Sequence, residues 1–418
     1  EILEFARDIY SHAELGYKEF QTSGKFVKKM EQLGLRTEKG FAITGVKAYL
    51  NEDKKENASL ALLGELDALR IPEHAFANPE TNAAHCCGHH AQMAGVFGAA
   101  LALTVPEIAE KLDGQVVFFA TPAEEYGEIE FKNQLREQGK IRYGGGKCEL
   151  LRIGAFDDID LCLTHHIRPG NEILVGSGTG NGFVSKVIRV LGKASHAAGA
   201  PEKGVNALSA ASLGLQALGL NRETFRDEDC VRVHPIITKG GNLVNVIPDE
   251  VVVETLVRGK TIEAFTDAAK KTDRSFKAGA IAMGAKVEIS TLPGYLPTLA
   301  EEALPELKHA AEISASGIPV IEASGHAGGS TDVGDVQHLM PVYTFNTGGV
   351  KGGLHQIDFE VTDEEEAYIV TAKMFALAAY GLLKEKAQRS RELVDQYEPV
   401  FKNSAEYVEF MEQFDSKE

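Results

Sequence analysis

Residues 114–125 read GQVVFFATPAEE, and they are the clearest sign of the fold in this chain. The five apolar residues at 116–120 are typical of a strand that is buried on both faces. Proline has no N–H to donate to a sheet, so Pro122 ends the strand. The stretch therefore predicts a central strand whose carboxyl end carries two adjacent carboxylates, Glu124 and Glu125.

Strands of the same kind alternate with helices on both sides of this stretch. ASLALLGEL at 58–66 and DIDLCLTHH at 158–166 contain short apolar runs, whereas AQMAGVFGAALALT at 91–104 has the length and the small residues of a buried helix. Strands separated by helices are typical of a parallel sheet that is covered on both faces. We therefore expect the α/β class, with an open, mostly parallel sheet flanked by helices.

The pattern changes after the glycine-rich segment GSGTGNGF at 176–183. From there to residue 292 the predicted elements follow the order β-α-β-β-α-β, which is typical of ferredoxin-like domains. We expect a main domain formed by 1–180 and 293–388, an inserted ferredoxin-like α+β domain at 181–292, and a charged, helical C-terminal tail at 389–418.

The composition of the chain disfavours several classes of binding partner and cellular location. The formal net charge of −18 disfavours nucleic acids and anionic membranes, because these repel an acidic surface. Five cysteines are an odd and sparse set for a disulfide framework, which favours a reducing compartment. No apolar run approaches the ~20 residues of a membrane span. The first residues, EILEFARDIY, lack the character of a signal peptide, so we expect a cytoplasmic protein.

The segment HCCGHHAQ, at 85–92, places three histidines and two cysteines within eight positions. Imidazole and thiolate are ligands that zinc prefers, although this spacing is not that of a strong zinc motif. Polar residues also follow the predicted strands, namely Glu65 and Asp67, Glu124 and Glu125, His165 and His166, and His355. Ligands of open α/β sheets bind outside the carboxyl ends of the strands, so we expect these residues to meet beside 85–92. Such a donor set suits zinc, manganese or cobalt.

Each of these residues, taken singly, also fits a structural role. Cys148, Cys162 and Cys230 are typical of small core residues, and adjacent glutamates are common in solvated turns. Cys87 differs because His89 stands two positions away. A metal site needs most of these residues together, so their convergence, rather than any one of them, indicates the site.

Eight motifs occur in an order that resembles one family. They are GELDAL (64–69), HCCGHH (85–90), TPAEE (121–125), HHIRP (165–169), GKASHAAGAPEKGVNAL (192–208), GGNLVNVIPDEVVVETLVRG (240–259), GGSTDVGDV (328–336) and GGLHQIDF (352–359). Together they resemble the dinuclear metal amidohydrolases of the aminoacylase and carboxypeptidase family. The similar branch contains hippurate hydrolase, auxin-conjugate hydrolases and aminobenzoyl-glutamate hydrolase, and the resemblance extends to about Lys384.

The resemblance implies a metal centre in the main domain, which would be the catalytic domain. Two divalent ions, zinc or manganese with cobalt or nickel as further possibilities, would be held by five ligands, which are Cys87, His89, Glu125, His166 and His355. Glu124 would act as general base toward a metal-bound water and then as general acid toward the departing amine.

The resemblance also assigns residues of the inserted domain, which would be a lid and a dimerisation domain. In relatives the residue matching His196 reaches the site of the partner subunit and stabilises the developing oxyanion. Asn245 and Arg258 match positions that hold the substrate carboxylate. The implied activity is hydrolysis of the amide of a small N-acyl or N-aroyl amino acid, such as aminobenzoyl-glutamate or a hippurate-like compound, by a homodimer.

Two positions differ from the relatives' usual pattern. His90 and Gln92 stand where relatives usually have Asp and His, and His90 could itself bind metal. Glu65 stands where other branches of the family place a histidine ligand, which makes it a reserve candidate, whereas Asp67 would support the site. Two alternative functions remain at this stage. One is a catalytically silent metal- or ligand-binding protein on the same fold, and the other is a hydrolase that uses Cys87 as its nucleophile.

Overall fold

The apolar run at 116–120 forms the strand Gln115–Thr121, in which every residue is buried. The structure, a computed structural model, describes residues 1–418. The chain divides into two units. The first unit consists of Glu1–Gly178, Leu299–Gly325 and Asp335–Tyr407. The second unit consists of Thr179–Thr298, His326–Gly334 and Val408–Glu418.

The α-helices, in chain order, are α1 (Ile2–Ser11), α2 (Phe20–Gln32), α3 (His89–Leu103), α4 (Pro106–Ala109), α5 (Ile129–Glu137), α6 (Gly146–Arg152), α7 (Ala207–Asn221), α8 (Ile262–Met283), α9 (Pro305–Ser314), α10 (Val333–Gln337), α11 (Thr371–Gln396) and α12 (Ser404–Glu412). The strands, in chain order, are β1 (Arg36–Phe41), β2 (Gly45–Leu50), β3 (Ser59–Glu65), β4 (Leu69–Arg70), β5 (Ala83–Ala84), β6 (Gln115–Thr121), β7 (Leu161–Ile167), β8 (Ile173–Val175), β9 (Thr179–Gly180), β10 (Gly182–Leu191), β11 (Arg232–Val233), β12 (Ile236–Lys239), β13 (Glu250–Gly259), β14 (Lys286–Tyr295), β15 (Val320–Glu322), β16 (His326–Ala327), β17 (Val342–Thr347), β18 (Val350–Lys351), β19 (Glu360–Val361) and β20 (Ser416–Lys417).

The first unit is built on an eight-stranded sheet in the order β1-β2-β6-β3-β7-β17-β8-β15. Its four central strands, β6, β3, β7 and β17, run parallel. Strands β1 and β2 continue the sheet antiparallel on one side. The central carboxyl ends therefore lie along one edge, as parallel pairing requires. The predicted α/β class, with a mostly parallel central sheet flanked by helices, is confirmed.

Helix α3 is the buried helix of this unit and packs against β3 and α11. Two glycines permit the close approach of α3 to α11. A β-carbon on Gly95 would lie 2.5 Å from Cγ2 of Thr371, and one on Gly98 would lie 2.4 Å from Cβ of Ala372. Substitution of either glycine would push the helices apart, because packed interiors have no room for an added methyl group. The crossing fixes α3, and with it the residues at its start.

The second unit is an antiparallel sheet in the order β11-β13-β10-β14-β20, and β12 also pairs with β13. Helices α7 and α8 pack on each other where Gly214 meets Phe276. The α-helices and strands that lie between 182 and 295 are, in chain order, β10, α7, β11, β12, β13, α8 and β14.

Apart from small shifts at 179–180 and 293–298, the observed units differ from the predicted ranges in two places. The sequence places 326–334 in the main domain and 389–418 in a separate tail. In the structure, 326–334 belongs to the second unit because β16 pairs with β9, and 408–418 belongs there because β20 pairs with β14. Residues 389–407 belong to the first unit.

Helix α11, with the π-helical turn Glu365–Val370 before it, is long and apolar enough to cross a membrane by length and composition. Its most apolar window is 61% buried inside the protein, as in a core helix. The backbone also leaves helical geometry from Lys384 to Ala387, so the helix is interrupted there.

Candidate metal centre

Cys87 and His89 are presented by the turn that begins helix α3. Gly88, which lies between them, has a φ of +84°, and a β-carbon on it would lie 2.1 Å from Cγ2 of Ile167. Glycine alone combines this backbone conformation with so close an approach. The turn therefore holds the Cys-Gly-His segment against the carboxyl end of β7, where His166 also lies.

The sulfur of Cys87 lies at the centre of the site. It is 3.3 Å from Nε2 of His166 and 3.3 Å from Nε2 of His355, and the latter atom is 3.2 Å from Oε1 of Glu125. Ligand-type atoms of Cys87, His89 and His166 lie within 4.8 Å of one another, and so do those of Cys87, Glu125 and His355. The structure thus brings all five predicted ligands together, with Cys87 in both groups.

Two of the histidines are oriented by backbone carbonyl groups. Nδ1 of His89 lies 2.9 Å from the carbonyl oxygen of Asp67, and Nδ1 of His166 lies 2.7 Å from that of Ile167. A carbonyl oxygen can only accept a hydrogen bond, so Nδ1 donates in both cases. In the neutral form of each ring, Nε2 then keeps a lone pair directed into the site, which is the usual arrangement of histidines that bind metal.

The atoms that face the site fit a bound cation. Nε2 of His89 and Oε1 of Glu125 are buried and make no hydrogen bond. Nε2 of His89 also lies 3.1 Å from Oε2 of Glu65 and 3.9 Å from Oε2 of Glu124. Electron-rich atoms this close repel one another unless a positive charge lies among them. A donor set of thiolate, imidazole and carboxylate is one that zinc, manganese and cobalt accept.

The thiol of Cys87 is not poised as a free nucleophile. Burial, followed by the negative charge of Glu125, raises the pKa of this thiol well above its ordinary value. A coordinating cation reverses this effect, because it deprotonates a bound thiol outright. The environment of Cys87 therefore favours a ligand role over the cysteine-nucleophile alternative.

The two adjacent glutamates are directed by a constrained turn. Ala123 has a φ of +50°, which is uncommon for a residue other than glycine, and its N–H donates to Oε1 of Glu19 at 2.8 Å. The N–H of Glu125 donates to Oδ2 of Asp67 at 2.9 Å. Asp67 therefore contacts Glu125 as well as His89, as the sequence predicts for a supporting residue. Strain of this kind is typical of functional sites.

His165 and His90, the sequence neighbours of His166 and His89, lie outside the ligand groups. Strand alternation places His165 on the face opposite to His166, and its Nε2 lies 2.8 Å from Oγ1 of Thr347. His90 does not join the ligand groups, because its Nε2 lies 3.1 Å from the hydroxyl of Tyr368 and its ring packs on Tyr10. Of the two predicted departures, only Gln92 reaches the site, where it donates to Glu65.

Lys147 is a residue of the site that no sequence motif marks. It is fully buried at the start of α6, and its Nζ lies 2.5 Å from Oε1 of Glu65. Burial works against ionisation of Glu65, but the positive charge of Lys147 opposes this effect, and the pKa of Glu65 is lowered to about 2. No local pattern marks this pair, because the two residues are 82 positions apart.

The remaining predicted residues, His196, Asn245 and Arg258, belong to the second unit. His196 is exposed, and its Nδ1 accepts hydrogen bonds from the N–H groups of Ala198 and Gly199. The His196 and Asn245 segments are adjacent, because the N–H of Ala197 donates to the carbonyl oxygen of Asn245 at 3.0 Å.

Arg258 lies on β13, directly across from Phe183 on β10. Its guanidinium carbon is 5.8 Å from the centre of the Phe183 ring.

Curated proteins of several names are similar to this chain. The Xaa-Arg dipeptidase of Mus musculus is 28% identical over 72% of this chain and 64% of its own length. The IAA-amino acid hydrolase ILR1-like 2 of Arabidopsis thaliana is 30% identical over 63% of this chain and 56% of its own length. The chain thus spans less than two thirds of both relatives. The N-acetyl-L-cysteine deacetylase of Bacillus subtilis is 24% identical over 94% of this chain and 90% of its own length.

Solved structures share the fold. A dinuclear metal-binding peptidase of Bacillus subtilis has a TM-score of 0.63 at 24% identity, with 91% of this chain and 97% of that chain covered. An aminobenzoyl-glutamate utilization protein of Klebsiella pneumoniae has a TM-score of 0.65 at 19% identity, with 92% and 96% covered.

The sequence profile of one family matches residues 61–380, a range that contains every predicted site residue. This range covers most of the chain and includes both the metal-ligand cluster and the second unit's candidate residues. The chain belongs to the peptidase family M20/M25/M40.

Proposed function

We propose that this chain hydrolyses the amide bond of a small N-acyl or N-aroyl amino acid at a centre of two divalent metal ions. The observation that carries the proposal is the position of Cys87. Its sulfur contacts two histidines from separate segments and belongs to two distinct ligand groups, so one thiolate can serve two ions. We expect zinc or manganese, with cobalt or nickel as substitutes that the same donors accept.

The ions would supply Lewis-acid polarisation of the amide carbonyl and of the attacking water. Glu124 lies beside the ligand groups, with Oε2 3.9 Å from Nε2 of His89, and is only 8% exposed. In the proposed reaction its carboxylate takes a proton from the water and then delivers that proton to the amide nitrogen as the C–N bond breaks. The side chain of His355 is half exposed, which leaves this part of the site open to a small substrate.

Residues of the second unit would act on the substrate. Because Nδ1 of His196 accepts two backbone N–H groups, the proton of the neutral ring lies on Nε2, which can donate to a developing oxyanion. Asn245 and Arg258 would bind the substrate carboxylate, for which a guanidinium offers two parallel donors. We propose that this domain acts as a lid and as the dimerisation domain of a cytoplasmic homodimer, in which His196 serves the site of the other subunit.

The names of the relatives support this class of substrate. The related proteins include a dipeptidase, an IAA-amino acid hydrolase and an N-acetyl-L-cysteine deacetylase. Each name denotes cleavage of an amide that links an acyl group to an amino acid. We therefore propose a free α-carboxylate next to the cleaved amide, with aminobenzoyl-glutamate and hippurate as the first compounds to test.

The test compares the wild-type chain with Glu124→Gln after loading with manganese or zinc. Both proteins are assayed on aminobenzoyl-glutamate, hippurate and a set of N-acetyl amino acids, and their metal content is measured. We expect Glu124→Gln to keep its metal and to lose about 10²- to 10⁴-fold in kcat, the range that general base catalysis supplies. Glu130→Gln, a change at a nearby exposed carboxylate, is the control and should leave kcat unchanged.

The alternatives predict different results. Binding of acyl amino acids by the metal-loaded wild type without turnover would support a silent binding protein. Activity that survives a chelator but is lost on alkylation would support the cysteine-nucleophile hydrolase. Full activity of Glu124→Gln would contradict the proposed role of Glu124.

A further inference from the structure

A buried polar cluster lies beside the five predicted ligands. It consists of Glu65 at the end of β3, Gln92 on α3 and Lys147 at the start of α6, which are 3%, 1% and 0% exposed. Removal of a carboxylate and an ammonium group from water is costly, and a buried ion pair often adds nothing to stability. The cluster therefore calls for an explanation other than stability.

Both carboxylate oxygens and the backbone N–H of Glu65 are hydrogen-bonded within this cluster. Oε1 accepts from Nζ of Lys147 at 2.5 Å, and Oε2 accepts from Nε2 of Gln92 at 2.8 Å. The backbone N–H of Glu65 donates to Oε1 of Gln92 at 3.0 Å. Gln92 thus holds Glu65 at two points. A carboxylate has about four lone-pair directions, so Oε2 keeps at least one for another partner.

The free lone pair of Oε2 has one neighbour that cannot satisfy it. Nε2 of His89 lies 3.1 Å away and makes no hydrogen bond, while Nδ1 donates to the carbonyl oxygen of Asp67. In the neutral ring, which is the form that binds metal, a lone pair of Nε2 therefore faces a lone pair of Oε2. The ligand atoms of Glu65, His89 and Glu124 form a third group within 4.8 Å of one another. A cation between Oε2 and Nε2 satisfies both atoms.

We propose that Glu65 is a further ligand of the metal ion that His89 binds, and that Gln92 and Lys147 are positioning residues for its carboxylate. The proposal rests on the metal centre of the proposed function. With Glu65, the centre has six protein ligands, and Gln92 orients the sixth. His89 and Gln92 are three residues apart on α3, so both side chains leave the same face of the helix toward the end of β3.

Close backbone contacts fix the position of the residue before Lys147. A β-carbon on Gly146 would lie 1.6 Å from the carbonyl oxygen of Pro122, and the N–H of Gly146 donates to the carbonyl oxygen of Ala123. Helix α6 therefore begins in direct contact with the turn that precedes the two adjacent glutamates. Lys147 is the next residue, so its ammonium group is tied to the same turn and reaches Glu65.

The first test measures metal binding rather than activity. The variant is the double substitution Glu65→Gln with Lys147→Met, because replacement of both partners avoids a buried, unpaired lysine. Metal-free protein is titrated with Co²⁺, and the affinities and the visible absorption of cobalt are recorded. We expect at least a hundredfold loss of affinity for one of two ions and a changed absorption band. Gln92→Leu should weaken the same ion by about tenfold and shift the band without loss of the site.

The control removes an ion pair that has a buried lysine and a largely buried carboxylate and lies far from the ligands in sequence. Lys186 is 1% exposed, and its Nζ lies 2.7 Å from Oδ1 of Asp273 in the second unit. The double substitution Lys186→Met with Asp273→Asn should leave both Co²⁺ affinities and the absorption band unchanged. If the Glu65/Lys147 variant folds and binds two Co²⁺ ions like the wild type, the proposal is wrong.

A crystal structure of the wild-type protein with Mn²⁺ tests whether Glu65 binds the ion, even if the double variant fails to fold. Oε2 of Glu65 within about 2.5 Å of an ion supports the proposal, and an ion bound by His89 with no contact to Glu65 overturns it. These readouts are separate from the proposed function. Loss of Co²⁺ affinity in a protein that cleaves no amide would leave the ligand assignment intact, and amide cleavage with unchanged affinity would remove only the ligand assignment.

Discussion

The sulfur of Cys87 lies 3.3 Å from Nε2 of His166, although the two residues are 79 positions apart in the chain. The contact exists because the turn at Gly88 is pressed against the carboxyl end of β7. The neighbouring residue, His165, points to the other face of the same strand. The adjacent histidines therefore form a natural pair for comparison.

We expect His166→Gln to lower the affinity for Co²⁺ by at least a hundredfold, because the ion loses an imidazole ligand. His165→Gln should leave the affinity unchanged, because His165 hydrogen-bonds to Thr347 instead. Titration of the metal-free proteins with Co²⁺ checks this difference. Equal losses in the two variants would show that His166 has no special role.

The close approach at Gly88 predicts a large cost for a single methyl group. Gly88→Ala should lower the free energy of unfolding by about 3 kcal/mol, from the left-handed conformation and the contact with Ile167 together. Gly139→Ala is the control, since Gly139 has a φ of +68° but no atom within 4 Å of the added carbon. It should cost about 1–2 kcal/mol. Urea unfolding measures both, and a similar cost for both would refute the steric argument.

Asp67 contacts two of the predicted ligands, so its substitution should weaken metal binding. Asp67→Asn should reduce metal affinity by about 10- to 100-fold, as is common when a partner of a ligand is lost. Asp160→Asn is the control, because Oδ2 of Asp160 accepts the N–H of Ser59 at the opposite end of β3. Calorimetric titration with Mn²⁺ should show no change in that variant. An unchanged affinity in Asp67→Asn would exclude a supporting role for Asp67.

A carboxyl group away from the site makes stability depend on pH. Burial raises the pKa of Glu301 from 4.5 to about 8, so the folded protein keeps a proton that the unfolded chain loses. This contribution to stability is complete below about pH 4.5 and is lost as the pH rises through about 8. Relative to Glu301→Gln, the wild type should therefore lose up to about 1.4 kcal/mol of unfolding free energy per pH unit over this window.

Urea unfolding between about pH 5 and about pH 8 measures this difference for Glu301→Gln. Glu302→Gln, a change at the exposed neighbouring residue, should keep the pH dependence of the wild type. A constant difference between wild type and Glu301→Gln across the window would mean that Glu301 ionises normally in the folded protein.

The parallel sheet and its polar edge could be predicted because each central strand is a short apolar run that ends in a functional residue. Two segments differ from what their sequence pattern predicts. The alternation in CVRVHPIITKGG at 230–241 predicts one strand, but Pro235 separates β11 from β12 because it has no N–H for the ladder. The apolar periodicity of 363–386 predicts one helix, but the helix is interrupted after Leu383, where Asp113 accepts the N–H of Lys386 and donates its own N–H to the carbonyl oxygen of Leu383.

The strand pattern also predicts part of the metal site. Strand alternation shows that His165 and His166 face opposite sides, but it does not say which side holds the other ligands. The sequence also marks Gln92 only as an unusual residue, since its partner Glu65 lies 27 positions away on another element. Lys147 was missed because a buried lysine looks like any other lysine until its carboxylate partner is known.

In the proposed centre, the thiolate of Cys87 binds both metal ions. The most direct measurement is the number of Mn²⁺ or Zn²⁺ ions bound per chain, determined by elemental analysis after dialysis, in the wild type and in Cys87→Ala. The account predicts two ions in the wild type and weakened binding of both in Cys87→Ala. Retention of two tightly bound ions without Cys87, or a wild-type chain that binds none, would contradict it.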